Sequence, residues 1–261
     1  LMGIGPLLPW RKAEEQSLRR NLAWLLAGFV VAGGLAWLLG VRKVYPALTV
    51  GLAGYNLVSL GLLLSGALVP RMRLAQRPAL QVLRSYAHEN RRRVGSMIVH
   101  FAVVVIAVGV TFSSGYRVDE QVRIDLGGSV GFEGYTLAAT DLFVDRTPQR
   151  LSAGALVEVS RDGRLIKTLR PRLNVFGGTG RAIPTPDVLY TPWHDVYLSL
   201  NSTVGPDTTF VVLRVVKSPL VTWIWVGGAI LVLGTAYALG GAPRRVPARA
   251  GASGSEGTTR T

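Results

Sequence analysis

Four stretches of this chain, residues 21–41, 44–69, 94–116 and 218–243, contain no Asp, Glu, Lys or Arg. Each exceeds the roughly 18–20 residues that carry a helix across about 30 Å of hydrocarbon. A helix of that length in a soluble domain shows water a polar face. Within lipid, a segment outside a closed barrel satisfies its backbone polar groups only as a helix. The expected fold class is therefore membrane α-helical, with four transmembrane helices and a small all-β domain inserted outside the cytoplasm.

The position of the charges orients these spans. The net charge is +14, a balance that could suggest a nucleic-acid binder. The basic residues, however, gather at the ends of spans. Residues 1–20 hold Arg11, Lys12, Arg19 and Arg20, and residues 70–93 hold seven arginines, including Arg91, Arg92 and Arg93. The turn after the first span has only Arg42 and Lys43, and residues 117–217 carry twelve basic and eleven acidic side chains. This alternation follows the positive-inside rule. It places an N-terminal segment (1–20), a basic interfacial loop (70–93) and a disordered tail (241–261) in the cytoplasm. The spans lie at 21–69 (two helices), 94–116 and 218–240, and the β-rich domain at 117–217 lies outside. Topology accounts for the arginines, and no nucleic-acid partner is expected. The absence of cysteine excludes disulfides, thiolate metal sites and thiol chemistry. No cleavable signal peptide is expected, because the first apolar stretch is too long and begins late. Leu1 is no initiator residue, so a piece of a longer protein is expected.

Along the chain, residues 1–10 read as the end of a preceding span or a re-entrant turn, with Trp10 as an interface anchor. The second span starts at Pro46 and carries Gly51, Gly54, Ser59, Gly61, Ser65 and Gly66. Small residues at this density let helices approach closely. Asn56 stands mid-span as an interhelical hydrogen-bonder or a substrate contact. After Pro78, Leu80, Leu83 and Ala87 recur at helical spacing, which suits a short helix on the inner surface. His88 falls in this polar stretch and is expected to be solvated. From Asp119 onward, short β-branched and aromatic runs alternate with Gly and Pro, and Asp162-Gly163 between two runs predicts a hairpin. Seven or eight strands are expected, in a small antiparallel barrel or sandwich.

Among the three histidines, His100 alone lies inside a span, about 7 Å to the cytoplasmic side of its centre at 1.5 Å per residue. An ionisable group at that depth is costly unless paired, and marks a functional site by default. Ser96, Val103, Ala107 and Thr111 share its helical face. A structural histidine bonded to a neighbouring carbonyl and an axial ligand of haem iron are both open readings. A proton relay would need carboxylates, and the spans have none. His194, in Trp193-His194-Asp195, reads as an exposed or capping residue of the β domain.

The stretch Asn90 through Phe101, with Arg91-Arg92-Arg93 and His100, followed by Ala107-Val108-Gly109-Val110, resembles the late histidine-bearing span of the CcmF-like family of c-type cytochrome maturation proteins. Met2-Gly3-Ile4-Gly5-Pro6-Leu7-Leu8-Pro9-Trp10 is similar to an earlier family segment. Pro219-Leu220-Val221-Thr222-Trp223-Ile224-Trp225 resembles its closing signature. Those proteins are membrane components of the bacterial haem lyase. The resemblance implies a b-type haem held between two membrane histidines, His100 matching the second, with the first carried by an N-terminal part or partner chain upstream of Met2. It implies electrons passing from quinol to haem on the outer face, and thioether bonds between haem vinyls and apocytochrome c cysteines. The implied partners are a haem chaperone, apocytochrome c with its thiol-handling presenters, and membrane lipid. The implied location is the bacterial plasma membrane, with both termini cytoplasmic and the β domain periplasmic. The family's tryptophan-rich segment and outer-face histidines also lie upstream, so this chain would be a C-terminal part and inactive alone, with no catalytic residue identified. Arg93, two turns before His100 on the same face, would contact a haem propionate or simply anchor topology. The other reading is a non-enzymatic membrane scaffold whose β domain docks partner proteins.

Overall fold

The computed structural model describes residues 15–75, 78–176, 182–205 and 207–240. The expectations for the opening segment, for Trp10 and for the tail at 241–261 lie outside these residues. In order come α1 (Glu15–Leu38), α2 (Val44–Ala75), α3 (Ala79–Glu89) and α4 (Arg91–Gly115). Strands β1 (Val118–Asp125), β2 (Ser129–Phe132), β3 (Tyr135–Thr147), β4 (Arg150–Arg161) and β5 (Arg164–Leu169) follow. Then come β6 (Arg172–Phe176), β7 (Ala182–Thr185), β8 (Asp187–Tyr190), β9 (His194–Leu200), β10 (Phe210–Pro219) and the final helix, α5 (Val221–Leu239). Among the described residues, α1, α2, α4 and α5 are the four helices long and apolar enough to cross a membrane. The chain is a multi-pass membrane protein.

Glycines decide which spans touch. A Cβ on Gly54 would fall 2.5 Å from the Gly28 carbonyl oxygen, and one on Gly51 would fall 2.8 Å from the Phe29 ring, so α1 and α2 meet backbone to backbone. The α4–α5 pair is built alike. A Cβ on Gly95 would meet Ala238 at 2.6 Å, and one on Gly227 would meet Ile106 at 2.6 Å. Without a hydrophobic drive between helices in lipid, such close backbone packing is the main attraction available. By contrast, Gly61 and Gly66 of α2 have nothing within 4 Å. Only part of the small-residue run on α2 is therefore used for packing within this chain.

Helix α2 continues through Pro70 to Ala75, carrying Arg71 and Arg73 beyond the uncharged run at 44–69. Helix α3 is stapled beneath the spans. Val82 and Tyr86 are buried, the Arg71 guanidinium lies 5.0 Å over the Tyr86 ring, and the Tyr237 hydroxyl donates to the Ala87 carbonyl at 2.7 Å. Leu80 and Leu83 face outward. His88 is exposed, as expected, with its Nδ1 3.0 Å from the Arg91 guanidinium.

The β domain has ten strands among the described residues, more than expected, in two antiparallel sheets. One runs β1-β10-β9-β8; the other runs β2-β3-β4-β6-β7, with β5 also on β4. Both contribute to one core: Ile124, Leu198 and Leu213 from the first, Leu137, Val157 and Leu169 from the second. Asp162 (φ 51°) and Gly163 (φ 74°) make the two-residue turn of the β4–β5 hairpin, as the Asp-Gly spacing predicts. Glu133 and Gly134 turn β2 into β3 in the same way, again with positive φ. The domain's first strand pairs along its whole length with the last, from Val118 opposite Lys217 to Asp125 opposite Phe210. That pairing sets α4, which precedes β1, beside α5, which follows β10.

Candidate functional site

His100 sits on the face of α4 turned toward α2. A cavity of about 490 Å³ opens there, lined by His100, Val103, Ala107 and Thr111 of α4 and by Thr49, Leu52 and Asn56 of α2. On the other side of the imidazole a cavity of about 140 Å³ is lined by Arg93, Ser96, Met97, Leu60 and Leu63. The helical face read from the sequence thus lines two cavities with His100 between them, and Arg93 shares the second. The Thr49 and Thr111 hydroxyls meet at 3.2 Å across the two helices, toward the far end of the larger cavity.

Among the described residues, His100 makes no hydrogen bond, and its Nδ1 is buried without a partner. A structural histidine would have given that nitrogen a carbonyl on a neighbouring span. Asn56 corrects a second expectation. Its amide donates to the Leu52 carbonyl of its own helix at 2.8 Å rather than across to another. Short polar side chains in a helix often satisfy themselves on their own backbone in this way. An imidazole with an unmet nitrogen, compact apolar neighbours and an arginine lining the adjoining cavity fits a ligand of haem iron. The other two histidines are remote from it in the fold, one on α3 and one at the start of β9. Among the described residues no cluster of three or more His, Asp or Glu is placed to hold a metal ion.

His194 is not an exposed residue. It is half-buried at the start of β9, where its Nε2 lies 2.6 Å from the hydroxyl of Tyr135, a buried residue. Burial and the neighbouring charges of Lys217 and Arg161 hold the imidazole below its ordinary pKa. Around it the β domain is tied to α5. The Leu220 amide donates to the Trp193 carbonyl at 2.9 Å, the Thr222 hydroxyl to the Thr191 carbonyl at 3.0 Å, and the Trp223 indole to the Pro192 carbonyl at 2.9 Å. Asp195 is buried beside Thr222, and burial raises its pKa. Sequence reasoning missed this joint. Its one local signal was Trp193-His194-Asp195, and the partner Tyr135 is 59 residues away.

No family model matches the chain. It is similar to the cytochrome c-type biogenesis protein CcmF of Haemophilus influenzae, at 24% identity over 240 residues, covering 90% of this chain and 35% of that protein. The CcmF of Escherichia coli is 25% identical over 234 residues, covering 90% and 34%. The cytochrome c-type biogenesis protein ccl1 of Rhodobacter capsulatus is 25% identical over 252 residues, covering 97% and 36%. A solved structure of the cytochrome c heme lyase CcmF matches with a TM-score of 0.74 and 28% identity, over 92% of this chain and 38% of that one. The chain therefore spans about a third of the length of the curated relatives it matches.

Proposed function

Because the chain is a CcmF-like family member over most of its length, we propose that it forms the C-terminal membrane part of a cytochrome c haem lyase, with His100 as one axial ligand of a transmembrane b-type haem. The observation that carries this reading is the imidazole of His100, unbonded among the described residues and lining a cavity between the membrane helices α2 and α4. When bound, a b-type haem supplies one-electron transfer, here from quinol toward haem held on the outer face. The rest is the work of the chain's own side chains. Val103 and Ala107 keep the flank of His100 narrow, which leaves a flat ring room against the helix. Arg93 offers a planar fork suited to a propionate. A second histidine would come from an upstream segment or partner chain, since His88 and His194 lie on elements outside the spans.

The same reading sets the chain in a bacterial plasma membrane. Both termini and the 70–93 segment are cytoplasmic, and the 117–217 domain faces the periplasm. A haem chaperone, apocytochrome c and its thiol-handling presenters are its partners there.

The test is a reduced-minus-oxidised spectrum of the purified chain, alone and co-expressed with the upstream part. Alone, it should hold little haem and give no six-coordinate low-spin signal. Co-expression should restore that signal, and His100→Ala should abolish it while the protein stays in the membrane. A full complement of six-coordinate haem in the isolated chain overturns the split-ligand account.

A further inference from the structure

The end of the β domain farthest from the spans carries a surface that the haem site does not use. Strand β3 starts at Tyr135, beside His194 and the α5 joint, and ends at Thr147. At about 3.3 Å per residue its tip stands roughly 40 Å farther out. There β4, β6 and β7 place Arg150 opposite Phe176, Ser152 opposite Asn174, and Gly154 opposite Arg172, with Thr185 beside Arg172. Opposed residues of an antiparallel ladder point to one face, so these side chains form one surface.

Its polar floor is satisfied internally. The Ser152 hydroxyl donates to Asn174 Oδ1 at 2.7 Å, and Asn174 Nδ2 donates to the Thr185 hydroxyl at 2.6 Å. The two arginines are not. Arg150 Nε and Arg172 Nε are both buried with no acceptor among the described residues, and a third guanidinium, that of Arg170, stacks 4.6 Å from the Phe143 ring at the margin. On the same face Asp145 stands opposite Ser152 and Asp141 opposite Leu156; both are exposed, and neither bridges Arg150 or Arg172. Beside the arginines, Phe176 and Ile183 are 40% and 48% exposed.

We propose that this distal face docks an acidic segment of a partner protein, carboxylates meeting Arg150 and Arg172 while an apolar side chain covers Phe176 and Ile183. A guanidinium presents its Nε and Nη hydrogens as a fork that matches a carboxylate. With Nε of each arginine closed off beneath the surface, a docking carboxylate meets the outer Nη edge of the guanidinium, a charge-assisted contact. Arginine and phenylalanine are also both enriched at protein interfaces. The surface lies apart from His100, so its failure leaves the haem reading untouched.

The experiment uses the full chain in nanodiscs of neutral lipid. The probe is a fluorescein-labelled eight-residue peptide alternating Glu and Phe, read by anisotropy. Arg150→Gln and Arg172→Gln should each weaken binding about tenfold, while Arg164→Gln, at the membrane-near β4–β5 turn, should not. Should either glutamine variant unfold, the exposed Phe176→Ser variant is expected to weaken binding about fivefold without a change in thermal stability. The proposal is overturned by any of four results: no saturable binding at millimolar peptide, equal binding of a Lys-for-Glu peptide, equal loss in Arg164→Gln, or displacement by anionic lipid vesicles instead of excess unlabelled peptide.

Discussion

His194 shows how one side chain ties local chemistry to pH. Its neutral ring meets the Tyr135 hydroxyl, and burial, then Lys217 and Arg161, hold its pKa below the ordinary value. The unfolded chain therefore binds a proton first. The contribution of His194 is complete above about 6.5 and is lost as pH falls through the folded-state pKa. Melting the protein between pH 7.5 and 5 should show this slope, and His194→Gln should flatten it. Asp195 acts with the opposite sign. Its pKa is raised by burial, so its contribution is present in acid and lost as pH rises through the folded value, which lies above the ordinary carboxylate range. Arg93 tests the intramembrane site. If it holds a propionate, Arg93→Gln should shift the haem midpoint potential while leaving membrane insertion intact. An unchanged potential with full haem content would leave it only an anchoring role. His100 was legible in the sequence because an ionisable group stands out in an uncharged run. The Tyr135–His194 contact was not, because it joins β3 of one sheet to β9 of the other, residues brought together only by the packing of the two sheets.

Helix pairing rests on individual glycines, and adjacent ones differ. A Cβ on Gly227 would meet Ile106 at 2.6 Å, whereas one on Gly228 would meet nothing within 4 Å. Gly227→Val should therefore part α4 from α5 at a cost of about 1–3 kcal/mol, as overpacking does. Gly228→Val should be nearly neutral in thermal unfolding in detergent, and equal losses at both positions would refute the packing account. The spans themselves could be read from the sequence because charge ends them. Which spans touch could not: Gly51, Gly54, Gly61 and Gly66 look alike in a string, yet only the first two meet a neighbour. Strands divide on the same ground. The long runs in β3, β4 and β10 show alternation, whereas β2, β7 and β8, with four residues each, are too short to display a period. The continuation of α2 beyond Pro70 was hidden as well, because a proline and two arginines read together as an end.

At the scale of the whole molecule, charge fixes an expected orientation that labelling can check. A cysteine at Ser85, exposed on α3, should be shielded from an impermeant thiol reagent in intact cells. One at Gln149, exposed at the β3–β4 tip, should react. Ser152, nearby in sequence, would be a poor reporter because it is 1% exposed and bonded to Asn174. Reaction at position 85 in sealed cells would invert the topology. The pairing of β1 with β10 has a further consequence, one of timing. During synthesis β1 emerges about 100 residues before the end of β10, or roughly 5–20 s at 5–20 residues per second. Until then its ladder has no partner on that side, and the glycine seam of α4 has no α5. Translation of β10 and then α5 supplies both in immediate succession. A pause or truncation upstream of Phe210 would therefore leave an open sheet edge on one side of the bilayer and an unpaired helix within it, a combined signal for quality-control proteases.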